Sequence, residues 1–350
     1  TRDGGTSWTN VTPKDIPKGV RVQTIEPSPH RPNKAYFAAY RYLLGDWEPY
    51  IYKTEDYGTS WERISSGYNG IPIDSPTRVI REDPDREGLL YAGTEFGMFI
   101  SFDDGRNWQQ FQLNLPVTPI TDIKIYQKDL VLSTMGRSFW ILDNVTPLHQ
   151  INKKIVDNDH FLFKPRKSYR MRYRFYRRSP ADPEYPSPGV MIDYYFSVKP
   201  ENEVFLEISD NCGRVIRKFS SESGNPRLTA NAGIHRFIWD MRHERPAESS
   251  PDESSSRDSY RRRSGAMVVP GAYKATLKTT DLSETIDFDI LMDPRVSADG
   301  VTLSDLRAQE QLSLDILKLL DSAQKAVDLI EQGKKQLVEE IDSGGRKEHQ

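Results

Sequence analysis

Three carboxylates recur in one setting: Asp3 in TRDGGTSW (1–8), Asp56 in TEDYGTSW (54–61) and Asp103 in SFDDGRNW (101–108). A carboxylate beside hydroxyls invites an acid–base reading, because such catalysis needs a titratable group within hydrogen-bond reach of the substrate. Three equivalent carboxylates in three separate repeats cannot converge on one substrate, so the structural reading is preferred. Asp bonds nearby backbone groups and Gly supplies the positive φ of a tight turn. Asp3, Gly5 and Trp8, Asp56, Gly58 and Trp61, and Asp103, Gly105 and Trp108 are then fasteners, each Trp packing between neighbouring units.

Other chemistry finds little support. There is no G-x-S-x-G elbow, no phosphate-cradling glycine loop and no H-E-x-x-H. Histidines 30, 149, 160, 235, 243 and 349 lack metal-ligand spacing, so neither a metal nor a cofactor is expected. Cys212 falls in a turn, where nucleophilic work would need a nearby His and a lowered pKa; a structural or incidental thiol is the reading. Glycosidases need two carboxylates ~5–9.5 Å apart, and among 51 acidic residues no pair stands out. No catalytic residue is assigned.

The elements that position these residues follow from the repeat. The Trp positions lie 53 and 47 residues apart, a period that points to a propeller, solenoid or array. Each unit carries short β-rich runs: VRVQTIEPS, KAYFAAY, PYIYKT and ERI, then TRVIRED, GLLYAGT, GMFISF and QQFQ. Four strands per unit is propeller-blade architecture. A fourth unit, ITDIKIY, DLVLSTM and SFWILDN, has its turn reduced to Asp143-Asn144, and the pattern fades near residue 148. The loops between second and third strands, opposite the box end, are RYLLGDWEP, TEFG and STMGRS. They present Arg41, Asp46, Trp47, Glu95, Phe96 and Arg137, rings and charges suited to a sugar or an extended peptide.

The three boxes resemble the Asp-box family, also called bacterial neuraminidase repeats, of sialidases and sortilin-type propellers, and STMGRSFWILDN resembles the closing blade of the sortilin-like bacterial group. The resemblance implies that the box is a rim turn away from the binding face, that Arg137 and Trp140 also help hold the closing blade, and that the protein is exported. Sialidase activity would further need an arginine cluster and a Tyr–Glu pair that are not identified here. Residue 1 falls inside a box, so a fragment of a longer propeller is expected.

Beyond the repeats, residues 149–188 read as a linker holding KSYRMRYRFYRR, where aromatics alternate with Arg170, Arg172 and Arg174. Two readings stay open: a groove for a polyanion, or an edge strand with aromatics on the core and arginines in water. Residues 189–294 give six short strands with turns between them, a sandwich cue. ISDNCGRVIRKF, GIHRFIWDMR and PGAYKATL resemble the Ig-like domain appended to secreted Asp-box proteins, with Trp239 as a core anchor. Inside it, 245–267 is Ser-rich and charged, the composition of a loop without a core. Residues 295–350 are helical from Thr302 to about Ile341, with an apolar stripe, a Thr302/Asp305 capping box and a break or bend at Gly333. MDPRVSADGVTLSDLRAQEQL resembles the stretch that follows the sandwich in the same bacterial group, which implies a helical hairpin packed on the rest.

The expected fold is therefore mainly β: a partial Asp-box propeller of three to four blades (1–148), an Ig-like sandwich and a C-terminal helical segment. A net charge of −3 argues against a general nucleic-acid binder, and no run approaches the ~20 apolar residues of a membrane helix. A single cysteine forms no internal disulfide. The expected function is an extracytoplasmic binding or assembly module whose partner is a protein, the remaining propeller blades or a glycan. The alternatives are the C-terminal part of a sialidase-like glycoside hydrolase and a structural subunit of an extracellular complex.

Overall fold

A computed structural model describes residues 1, 3–172, 187–244 and 265–345. They form two compact units, Thr1–Gln150 and Ile151–Gln350, and the fold is mainly β. Tyr173 to Arg178 of the Arg/aromatic stretch and most of the Ser-rich loop, including Arg261 to Arg263, lie outside the described residues.

The first unit holds three antiparallel meanders. Sheet 1 comprises β1 (Arg21–Pro27), β2 (Ala35–Arg41), β3 (Asp46–Thr54) and β4 (Glu62–Arg63); sheet 2 comprises β5 (Thr77–Glu82), β6 (Leu90–Thr94), β7 (Met98–Ser101) and β8 (Gln109–Gln110). Sheet 3 has only β9 (Ile120–Tyr126), β10 (Asp129–Thr134) and β11 (Phe139–Leu142), followed by a short helix α1 (Thr146–Gln150). Strand alternation sends the apolar residues of sheet 2 to both faces, because this middle sheet is covered on both sides. Tyr36, Ala38 and Ile51 of sheet 1 meet Ile80, Leu90 and Phe99 of sheet 2 in one core. Val79, Tyr91, Met98 and Ile100 on the opposite face meet Ile120, Ile123, Leu130 and Leu132 of sheet 3.

The second unit sets two sheets around one core. A short helix α2 (Lys153–Val156) precedes β12 (His160–Leu162) and β13 (Ser168–Arg170); then come β14 (Val190–Phe196), β15 (Phe205–Asp210), β16 (Val215–Ser220), β17 (Gly233–Trp239), β18 (Gly271–Lys278) and β19 (Ser283–Met292). The orders are β12-β14-β17 and β13-β19-β18-β15-β16, with β13 parallel to β19. Within the span expected to be a linker, His160–Leu162 thus pairs with β14. Trp239 is fully buried against Tyr273 and Phe288, and its indole N–H donates to the Arg242 carbonyl at 3.0 Å. Asp210 closes the β15–β16 turn by accepting the N–H groups of Cys212 and Arg214, with Gly213 at φ 82°.

Helices α3 (Pro294–Ala298) and α4 (Leu303–Gly345, 43 residues) end the chain. Asp305 accepts from the N–H and hydroxyl of Thr302, completing the cap expected from sequence. The base of α4 is tied down by Arg170 to Gln309 at 2.6 Å and His243 to Glu310 at 2.7 Å. Asp293 caps α3 and accepts from the N–H groups of Arg172 and Arg295 and from the Arg295 guanidinium, whose bonds hold its carboxyl far below the usual range. The expected break at Gly333 does not occur. One glycine costs a helix only about 1 kcal/mol, and the turns on either side are made of good helix formers, so α4 runs through it as one helix and not as a hairpin.

Candidate functional site

The three boxes have one geometry. The first hydroxyl (Thr1, Thr54, Ser101) donates to the Asp Oδ1 at 2.8–2.9 Å and accepts the Gly N–H at 2.8–2.9 Å. The same carboxylate accepts the N–H of Ser7, Ser60 or Asn107 and that residue's side-chain donor. Those side-chain bonds hold Asp3 and Asp56 below their usual range; at Asp103 burial opposes the shift but the Asn107 bonds outweigh it. With both oxygens committed locally, these groups are turn fasteners.

The boxes also clip consecutive units together. The indole N–H of Trp61 donates to Val11 O at 2.6 Å and that of Trp108 to Ile64 O at 2.9 Å. The box glycine presses on the same residue: a Cβ at Gly58 would lie 2.9 Å from Val11 Cβ, and one at Gly105 2.5 Å from Ile64 Cδ1. Trp108 is 4% exposed; Trp8, by contrast, is 79% exposed, and its indole N–H donates to its own box's Gly5 carbonyl.

At the opposite end of the strands, five of the six candidate ligand residues come together. The β2–β3 connection is a 3-10 turn, Tyr42–Leu44, closed by Gly45 at φ 79°. Arg41 and Asp46 are register partners across it and pair at 3.0 Å. Burial pushes the Asp46 carboxyl up, but bonds from Tyr50 and Arg41 outweigh it and hold it below its usual range. In the β6–β7 turn, Glu95 receives Arg78 Nε at 2.6 Å, and the same guanidinium donates to the Tyr42 hydroxyl at 2.9 Å while lying over the rings of Tyr40 and Tyr42.

Between these ion pairs lies a run of rings: Tyr40 on Tyr42 at 4.9 Å, Tyr42 to Trp47 at 5.8 Å, and Trp47 to Phe96 at 6.3 Å with their planes within 13°. Trp47 and Phe96 are 46% and 45% exposed. The result is a run of contacting rings, exposed at Trp47 and Phe96, whose bordering charges are internally paired. Arg137 sits on the β10–β11 turn and folds back on its own loop, donating to Gly136 O; among the described residues no bond or ring contact joins it to the cluster. Arg78, which orients Tyr42 and Glu95, escaped the sequence reading. Its signal was a charged residue inside the otherwise apolar start of β5.

Two further clusters also escaped it. Lys34, just before β2, and Tyr36 and Lys53 of sheet 1 converge on Asp104, with Lys34 Nζ 2.9 Å from Asp104 Oδ1 and 3.4 Å from the buried Glu82. This network seams sheets 1 and 2. Asp83, Asp85 and His149 come within 4.8 Å, close enough in type to hold a metal ion. Asp83, however, already accepts from Asp85 N–H, Arg86 N–H, Tyr91 hydroxyl and His149 Nε2 at 2.8–3.2 Å, and so serves as a local anchor for α1.

No family model matches the chain, and no curated protein does. Solved structures with some likeness include the GH74 enzyme of Niastella koreensis (12% identity, TM-score 0.30, covering 50% of this chain and 28% of that one). Another is PorZ, a surface component of the type-IX secretion system of Porphyromonas gingivalis (13%, 0.26, 77% and 39%). A third is the extracellular domain of a hybrid two-component system of B. thetaiotaomicron (10%, 0.23, 74% and 30%). The chain spans less than two fifths of the length of each. At these TM-scores they place no constraint on its fold or activity.

Proposed function

We propose that this chain is an extracytoplasmic binding module made of Asp-box propeller blades and an Ig-like sandwich, with its ligand face at the β2–β3 and β6–β7 turns. The observation that carries this reading is the pair of exposed, nearly parallel rings of Trp47 and Phe96, bordered by the closed ion pairs Arg41–Asp46 and Arg78–Glu95. Flat rings with paired charges suit a sugar face or an extended peptide. The repeated box turns and four-stranded meanders support the blade assignment, and two sheets around one core support the Ig-like one. The extracytoplasmic location rests on the sequence resemblance; no helix among the described residues is long and apolar enough to cross a membrane.

The hydrolase alternative draws no support from this face, because bonds from Tyr50 and Arg41 hold Asp46 below its usual range, away from a proton donor's, and Glu95 is spent on its ion pair with Arg78. The test is binding to glycan and peptide arrays by the intact chain, Trp47→Ala and Phe96→Ala. Each variant should weaken binding at least ~10-fold, the effect of losing one aromatic anchor, with the urea midpoint unchanged. Unchanged affinity in both folded variants would remove this face from consideration.

A further inference from the structure

The chain has six tryptophans, and five of them spend the indole N–H inside the protein: Trp8 on Gly5 O, Trp61 on Val11 O, Trp108 on Ile64 O, Trp140 on Arg137 O and Trp239 on Arg242 O. Trp47 is the sixth. It is half exposed, and among the described residues its N–H meets no acceptor. The Tyr42 hydroxyl beside it accepts from Arg78 at 2.9 Å and keeps its own hydrogen to donate.

The side-chain acceptors around these two donors are already taken. Asp46 receives Arg41, Tyr50 and the N–H of Glu48, Glu95 receives Arg78, and Glu48 holds Arg63. The turns are closed as well: Gly45 N–H donates to Tyr42 O, Thr94 N–H to Gly97 O, Glu95 N–H to Pro76 O, and Phe96 N–H to the Thr94 hydroxyl. A ligand therefore meets spare donors on an apolar surface, which Leu43 and Leu44 extend on the Trp47 turn.

That pattern separates the ligand classes. A sugar presents hydroxyls that donate as well as accept, and a donor buried without a partner weakens binding. An ordinary extended peptide carries one N–H per residue and adds to a sheet only along an open edge, which these closed turns do not offer. Proline carries a carbonyl and no N–H. A run of prolines is thus all acceptor; its polyproline II helix needs no backbone partner, is ordered before it binds, and docks on aromatic rings. The span agrees. Tyr42, Trp47 and Phe96 stand in steps of 5.8 and 6.3 Å, so the run reaches over about four residues of polyproline II at ~3.1 Å each. Residues i and i+3 of such a ligand face the same side and fall on the two ends of the run.

Resting on the ligand face argued for above, we propose that this face binds a proline-rich polypeptide segment in the polyproline II conformation. Trp47 and Tyr42 donate to its carbonyls, and the rings of Trp47 and Phe96 carry its pyrrolidine faces.

The test is isothermal titration of the intact chain with an acetylated, amidated peptide of Pro-Pro-Leu triplets and with a Gly-Ser-Leu peptide of the same length. The first should bind at least ~10-fold tighter, because it is ordered beforehand and carries fewer N–H groups. Trp47→Phe keeps a ring and removes the N–H, and should weaken binding about 3- to 10-fold, the worth of one hydrogen bond. Phe96→Ala should weaken it at least ~10-fold. Tyr126→Ala, which removes an exposed ring from the β9–β10 turn at the opposite end of sheet 3, should leave it unchanged. Equal affinity for the two peptides, or a Trp47→Phe protein that binds like wild type, would overturn the proposal. So would a glycan held through Trp47 while neither peptide binds, a result that leaves the ligand face itself standing. If no peptide and no glycan binds, both readings fall.

Discussion

Trp8, Trp61 and Trp108 occupy the same place in the same motif, and the structure assigns them different energies. Trp108 is buried among Ile64, Ile71, Leu90 and Phe99. Its removal should cost about 3–5 kcal/mol, the range for truncating a buried Trp to Ala. The hydrogen bond adds little to that figure, because Ile64 O also accepts Asn69 Nδ2 at 3.0 Å and keeps a donor when the indole goes. Trp108→Phe, which retains most of the packing, should then cost about 1 kcal/mol. Trp61 is half-buried, packs edge-on to Phe37 at 4.9 Å and donates to Val11 O; Trp61→Ala should cost about 1–2 kcal/mol. Trp8→Ala should fall within about 0.5 kcal/mol of wild type, as for an exposed side chain. The assay is urea unfolding followed by far-UV circular dichroism at a concentration below any self-association, reading the midpoint of the first unit. Equal losses at all three positions, or a Trp8→Ala loss matching Trp108→Ala, would refute the idea that the box Trp stabilises by entering the preceding unit's socket.

Gly70 has φ 113°, and a Cβ there would lie 1.8 Å from Trp108 O; Gly70→Ala should destabilise the first unit by at least about 1–3 kcal/mol in the same urea assay. Burial raises the Asp83 carboxyl, but bonds from His149, the Asp85 N–H and Tyr91 outweigh it and leave its pKa depressed. Its stabilisation is therefore complete above the unfolded carboxylate value, about 3.9, and is lost as pH falls through the lower folded pKa; hydrogen-exchange protection of α1 should collapse in that acid window, and Asp83→Asn should flatten the dependence. At Gly333 a Cβ meets nothing within 4 Å. Gly333→Ala should strengthen α4 by about 1 kcal/mol, seen as slower exchange around residues 327–338; faster exchange would restore the bend expected from sequence.

Much of the secondary structure was legible because it is written in local chemistry. The β-rich composition of KAYFAAY and TRVIRED, the Asp and Gly of each box and the Thr302/Asp305 pair act within a few residues of themselves, so reading them needs no knowledge of the rest of the chain. The same locality gathered Arg41, Asp46 and Trp47 on one hairpin. Gly333 misled because intrinsic propensity is a weak prior when the flanking turns are strongly helical.

Sequence by itself determined the strand runs of the repeats, the long C-terminal helix and the box turns on which the carboxylates are spent, though not β12 and β13 in the span expected to be a linker. Only the tertiary structure decided which copies of one motif are buried, that Phe96 meets Trp47 across 49 positions of chain, and that Arg78 joins Tyr42 to Glu95. It also decided that Lys34, Lys53, Glu82 and Asp104 form one seam. These are contacts between strands far apart in sequence, set by how one sheet's face meets the next. Trp61 and Trp108, of the same type and setting, become half-anchor and anchor according to what lies three residues past the previous box, Val11 for one and Ile64 for the other.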